Sequence, residues 1–447
     1  MTTERVRTPP PRLPRRLPSG RGATEQPNNT DETAALTPRF WAALLATGVL
    51  TGGFGMGLMA LLFGVEDLAY GPRHPDFQSA VERASGLHRL TALLVAGVIG
   101  GVAWWLLRRW TRGSAEIDDA VWRDQPLAPV RSLGTSLISE VVVGLGASLG
   151  REAAPKLMGG VAGSLLGRRL GLSAAQVRLL VACGGGAGLA CVYNVPLGGA
   201  LFTAEVLVGA VSVPVLLPAL ACSAVATLIA WAYLSNGPTY IDVPAYHVSA
   251  ALVVFSVVAG PVLGLLAVGY VRLIGLVSHR RVSGVKIIPA MLAVFAVVGA
   301  VGIHYPQLFG NGKDMAHMAL LGEGTVGLLI VLAVLKPLLT AACLGAGASG
   351  GLFTPTLSTG AVLGAGLGLL WSDMWGGTSP GAYAVVGAAA FVGAGMMAPV
   401  SGLVLVLELT HTGFSLLIPM IIATGLATLL VRYLDGYSIY TARLPAQ

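Results

Sequence analysis

Residues 194–207 read NVPLGGALFTAEVL, and residues 397–410 read MAPVSGLVLVLELT. Pro196 is matched by Pro399 and Glu205 by Glu408, both pairs 203 positions apart. Upstream, Gly150, Gly159, Gly163 and Gly167 are matched by Gly351, Gly360, Gly364 and Gly368, each at a separation of 201. Glycine matches come cheaply in a chain with 61 glycines, but a proline and a glutamate sharing one offset do not. Each half carries a glycine-spaced helix and then an x-Pro-x-x-Gly helix ending on glutamate. That pattern predicts a duplicated transport architecture.

The surroundings of the repeat are greasy. The 447 residues are 54% hydrophobic and 11% charged, against about 25% charged in ordinary soluble domains. Apolar stretches at 41–63, 91–107, 212–233, 249–270, 289–303, 326–344, 381–408 and 415–432 approach or exceed the roughly 20 residues that a spanning helix needs. The expected class is an all-α polytopic membrane protein, and the glycines sit in apolar segments, where they let helices approach closely. Length says little about domain number, because one bundle can use the whole span.

Several repeat segments are short or interrupted, as in helices that stop near the bilayer midplane. The N–H groups and positive dipole ends of such half-helices point at an anion. Pro155, Pro196, Pro355 and Pro399 fall at or near helix starts, where a missing N–H costs little. The residues therefore lean towards an anion pathway. Against this background GLGASLGREAAPKLMGG (144–160) stands out, because Arg151 and Glu152 sit side by side among small residues. A charged pair in a greasy segment is expensive to keep, and a buried ion pair of Glu152 with Arg151 is the plain reading of it.

Other features narrow the classes. Cys183, Cys191, Cys222 and Cys343 lie scattered in apolar sequence and read as small core residues rather than a disulfide frame or metal site; no cofactor is expected. The formal charge of +7 lies in clusters, Arg12–Arg15–Arg16–Arg21, Arg108–Arg109–Arg112 and His279–Arg280–Arg281. These favour the cytoplasmic side of a plasma (inner) membrane, with both termini cytoplasmic, over nucleic-acid binding. Residues 1–38 read as a disordered tail without a signal peptide. The membrane domain is expected over 39–444, with repeat one at about 90–233, repeat two at about 289–432 and no C-terminal regulatory domain.

At GREAAP (150–155) and GGLFTP (350–355) the chain resembles the CLC family of chloride channels and proton-coupled chloride transporters. The likeness extends to AGLACVYNVPLGGALFTAEV (187–206), GAGASGGLFTPTLSTGAVLG (345–364), APVSGLVLVLELT (398–410) and GYSIYTARL (436–444), a divergent bacterial-type pattern. The resemblance implies a fold of about eighteen helices in two inverted repeats, a homodimer, and one chloride pathway per subunit. It places Glu152 on the gating glutamate, Leu352 and Phe353 where backbone amides hold the central anion, and Tyr440 on the hydroxyl closing that site. Arg151 offsets nearby negative charge.

The departures are informative. The family's GREGP is Gly150–Arg151–Glu152–Ala153–Ala154 here, with a proline at 155 and Lys156 adding a positive charge behind it. The family's GSGIPE is reduced to RGSAEID (112–118). A two-residue gap puts Ser114 in the central site; without the gap Arg112 falls there, where an unpaired guanidinium would hold anions too tightly for rapid release. The second glutamate of proton-coupled members aligns with Val206, which carries no proton, leaving Glu140 as a candidate relay or a paired structural acid. Glu205 and Glu408 read as helix-end caps; Lys313, Asp314 and His411 read as loop residues.

The expected function is transmembrane chloride transport, channel-like or weakly proton-coupled. The alternatives are a fluoride or other anion/proton antiporter of the same family, a non-conducting scaffold, and an intramembrane hydrolase, the last without a histidine beside a GxS motif.

Overall fold

The computed structural model describes residues 36–72 and 76–444; the tail expected at 1–35 lies outside the described residues. Among these, seventeen α-helices, one π-helical turn and three 3-10 turns carry the architecture, with no strand beyond isolated bridges. Among the described residues, nine helices are long and apolar enough to cross a membrane. Thr37 caps the first, α1 (Pro38–Tyr70), by accepting the N–H of Phe40, so the helix begins one residue inside the stretch read as tail.

The peripheral helices α1, α3 (Gly86–Trp110), α10 (Ala250–His279) and α11 (Ile287–His304) expose rows of aliphatic side chains such as Leu45, Val49, Val95, Val98, Val258 and Val297. The central helices α7 (Ala174–Tyr193) and α15 (Pro380–Met396) are buried all round. They pack on α6 (Ala153–Arg169) and α14 (Phe353–Ser372) through glycines. A methyl on Gly159 would overlap the backbone of Gly184, and one on Gly364 would overlap Tyr383 and Gly387. Lipid supplies no hydrophobic drive between helices, so such backbone contact is what holds them.

The two halves run in opposite directions. Helix α5 (Pro129–Gly144) starts at the bundle face where Arg131 reaches the Thr111 carbonyl and ends where the Tyr70 hydroxyl donates to the Leu145 carbonyl. Its counterpart α13 (Val326–Gly345) ends at the first face, where Arg108 and Arg281 both donate to the Gly347 carbonyl. Loops 145–152 and 346–352 then enter from opposite faces and meet inside the bundle. Gly150 and Gly351 exchange both backbone bonds there, at 2.8 and 2.7 Å. From this junction α6 and α14 depart in opposite senses.

The repeated motif fulfils the same symmetry. The Glu408 carboxylate at the end of α16 (Pro399–Thr410) accepts the N–H groups of Leu197 and Gly198 at the start of α8 (Pro196–Phe202). Glu205, in the π-helical turn Thr203–Val208 after α8, accepts those of Val400 and Ser401. Each repeat caps the other, as expected of these glutamates.

Two expectations are corrected. The apolar stretch 381–408 is not one span: Met397 adopts φ 55° and Pro399 opens a new helix, the start its proline marks. Residues 353–372 form the glycine-spaced helix expected of the second half, and residues 174–193 form another long apolar helix. Lys313 and Asp314 form the first turn of α12 (Lys313–Leu320), where Asp314 accepts the Gln78 N–H, whereas His411 does leave its helix.

Candidate functional site

The junction of the two loops places Glu152 where two helix N-termini converge. Glu152 is the N-cap residue of α6, and Leu352 that of α14. Pro155 and Pro355 each occupy the third helical position, equivalent places in the two helices, so neither removes an intrahelical bond. The Glu152 side chain, fully buried, turns across to α14 rather than capping its own helix. Oε1 accepts the Phe353 N–H at 2.8 Å. Oε2 lies 3.1 Å from the Tyr193 hydroxyl and 3.3 Å from that of Thr354. Those hydroxyls are 2.5 Å apart, so one donates to the carboxylate while the other relays.

Glycine is required on both sides of this carboxylate. A Cβ on Gly150 or Gly351 would overlap the Glu152 side chain. Arg151 makes no ion pair with Glu152 among the described residues; its guanidinium lies 5.1 Å from the centroid of the Tyr193 ring and 5.8 Å from that of Phe63. The arrangement is a carboxylate held by a helix N-terminus and hydroxyls, the donor set that suits a small anion.

Towards the arginine-rich face a cavity begins below Glu152. It is lined by Ala115, Glu116, Asp118, Lys156, Leu352 and Tyr440, among others. The Tyr440 hydroxyl is buried without a hydrogen-bond partner among the described residues. Ser438 fixes its backbone by accepting the N–H groups of Tyr440 and Thr441. Ser114 does not line the cavity: its hydroxyl donates to Asp119 at 2.7 Å and accepts the Glu116 N–H. Arg112 is exposed. The side chain that does reach this position is Lys156, one helical turn after Glu152 in α6.

The mouth of the cavity is charged. Glu116 pairs with Arg281 at 3.6 Å and with Arg443 at 3.4 Å. Burial alone would raise its carboxyl, but Arg443, Arg281 and Arg108 hold it below the ordinary range. Asp118, on the short helix α4 (Ile117–Trp122), is pushed up to about 6 by burial, against the pull of Arg443. Arg281 also donates to the Gly347 and Ala348 carbonyls and the Ser349 hydroxyl, anchoring the loop that delivers Leu352. In the sequence, Arg108 and Arg281 signal orientation only.

Glu140 is fully buried in α5, and neither carboxylate oxygen has a hydrogen-bond partner among the described residues. It lies one turn from the end of α5 that meets Tyr70, far from the arginine-rich face. Val206 is buried in the π-helical turn beside Glu205. Sequence reading missed Tyr193, Thr354 and Asp118. Thr354 sits inside the quoted GGLFTP, whereas nothing local distinguishes Tyr193.

A family model described as "Voltage gated chloride channel" matches residues 99–432. The H(+)/Cl(-) exchange transporter ClcA of Cronobacter sakazakii is 30% identical over 79% of this chain and 79% of its own length. The voltage-gated ClC-type chloride channel ClcB of Citrobacter koseri is 30% identical over 82% of this chain and 90% of its own. Among solved structures, a slow cyanobacterial Cl-/H+ antiporter superposes with a TM-score of 0.80 at 22% identity, covering 91% of this chain and 97% of that one.

Proposed function

The chain belongs to the voltage gated chloride channel family, and on that premise we propose that it is a multi-pass membrane protein moving chloride through the Glu152–Tyr440 site. The observation that carries this is the Glu152 carboxylate on the Phe353 N–H, at the meeting of two half-helices. Glu152 acts there as a tethered anion. While it sits on α14 it blocks the pathway, and chloride enters when the carboxylate is protonated or displaced. Leu352 and Phe353 present the helix terminus, Tyr440 supplies a hydroxyl, and Arg151 offsets negative charge near the outer position. The donors are fixed by the fold, so the anion exchanges its water for them without reorganising the protein.

Proton movement is passive or weakly coupled in this reading. A proton crossing a low-dielectric span needs titratable groups or water along its route. Glu152 provides one stop, but Val206 provides none on the way to the arginine-rich face. Glu140 lies on the other side of the junction, so it serves as an outer proton store for Glu152 rather than an inner relay. The arginine-rich face, carrying Arg108, Arg109, Arg168, Arg169, Arg281 and Arg432, is cytoplasmic by the positive-inside rule. Both ends of the described chain lie there, in a plasma (inner) membrane. Two copies form a homodimer with a pathway in each subunit, and its activity is transport rather than catalysis.

The test is reconstitution in vesicles with a chloride gradient and a pH reporter. Chloride efflux without uphill proton movement is expected. Robust uphill pumping abolished by Glu140→Gln would instead make Glu140 the relay, and absence of any anion flux in folded protein would refute the transport reading.

A further inference from the structure

Lys156 is a cation in an unusual place. It is 8% exposed, and its Nζ lies 4.8 Å from the ring centroid of Phe202 and 5.0 Å from that of Tyr440. These two rings meet edge to face at 5.8 Å, forming one aromatic wall. No carboxylate closes on the ammonium: it has neither an ion pair nor a side-chain hydrogen bond among the described residues. Two aromatic faces offset part of the loss of hydration, but an ammonium has three donors, and rings satisfy none of them well.

The neighbours of the ammonium show what completes it. The Tyr440 hydroxyl, whose ring it overlies, has no hydrogen-bond partner among the described residues either. Both groups line the cavity that begins below Glu152, together with Leu352 of the α14 N-terminus. The charged groups that face Lys156 come from every element around it: Glu152 from its own helix, Asp118 from α4, Glu116 from the loop before it and Arg443 from the chain end. Glu116 is engaged by Arg281 and Arg443, and Glu152 by α14. What remains is a buried ammonium and a buried hydroxyl, both unpaired among the described residues, opening on one cavity.

We propose that the Lys156 ammonium and the Tyr440 hydroxyl together bind a small monovalent inorganic anion, so that the middle of the pathway carries a cationic ligand where a serine hydroxyl was expected. The inference deepens the chloride-transport reading and rests on it. Its physical content is simple: with Ser114 bonded to Asp119, the side-chain donor comes from α6 instead of the 111–116 loop. Glu152 and Asp118 both act on that ammonium, so an anion moving through competes with two of the chain's own carboxylates for one positive charge. A full charge at short range in a dry site holds an anion more tightly than a hydroxyl does.

The experiment is calorimetric chloride titration of the detergent-solubilised full chain, with flux measured on the same preparations. Lys156→Met keeps the length and apolar stem, and is expected to weaken chloride binding by about ten- to hundredfold. Lys156→Arg keeps the charge and is expected to stay within about threefold of wild type. Should Lys156→Met fail to fold, Asp118→Asn answers the same question by removing a competing carboxylate, and should tighten chloride binding by severalfold. Unchanged affinity in Lys156→Met, or in Asp118→Asn where that variant decides, with wild-type binding and flux intact, overturns the role of Lys156 alone. A wild-type protein that folds, yet neither binds nor passes chloride, overturns the transport reading and this inference with it.

Discussion

Replacing Glu152 by glutamine asks the most of this structure, because it removes the charge while keeping the shape. In the wild-type protein the carboxylate takes the Phe353 N–H at 2.8 Å and one of two hydroxyls at 3.1 or 3.3 Å. Hydrogen bonds to a charged acceptor contribute about 1.5–3 kcal/mol, against about 0.5–1.5 for neutral ones. Over two bonds the carboxylate therefore loses about 2–3 kcal/mol of its hold on α14 on becoming an amide. That difference is on the order of thirty- to 150-fold in the equilibrium between tethered group and free anion. Glu152→Gln should accordingly conduct, compete less with chloride by up to that factor, and show flux less sensitive to pH, because the ionisable gating carboxyl is gone. The assay is chloride efflux from proteoliposomes read with a chloride electrode, over acidic to neutral pH and a range of chloride concentrations. A folded Glu152→Gln protein with the wild-type pH profile and chloride dependence, or with no flux at all, would refute the tethered-anion mechanism.

Further outcomes follow from individual contacts. Tyr440→Phe keeps the ring beside Lys156 but removes the unpartnered hydroxyl, and should weaken chloride binding by about 1.5 kcal/mol or more in calorimetry. Ser114→Ala should leave that affinity unchanged, because its proton already goes to Asp119; a matching loss in both variants would put Ser114 back in the site. Glu408→Ala uncaps two backbone N–H groups of α8 and should lower stability by about 1–2 kcal/mol in thermal unfolding in detergent, with flux per folded protein retained.

The parts of this fold legible in one dimension are those set by local chemistry. Apolar length marks the peripheral helices, because lipid accepts only long apolar segments whose backbone is internally bonded. The offset of 203 between Pro196–Glu205 and Pro399–Glu408 exposes the duplication, since a cap needs a proline-tolerant start and a carboxylate at fixed positions. Glu152, Phe353 and Tyr440 were identifiable through their motifs. By contrast, α7 is only moderately apolar, because a helix buried among other helices is built of glycine and alanine rather than long aliphatic runs. Hydropathy alone reads 381–408 as continuous, because a single residue at φ 55° carries no hydropathy signal, and only Pro399 marks the break.

Tertiary structure alone decided the chemistry of the site. The sequence leaves Ser114 or Arg112 as the choices for the central position, yet folding turns Ser114 onto Asp119, exposes Arg112 and brings in Lys156 from another helix. Glu152 and Phe353 lie 201 residues apart and touch only because Gly150 and Gly351 pair across the two loops. Periodicity and composition report which face of a segment is buried, but not which distant segment buries it. An anion site built from the starts of two half-helices exists only once both halves have inverted and met.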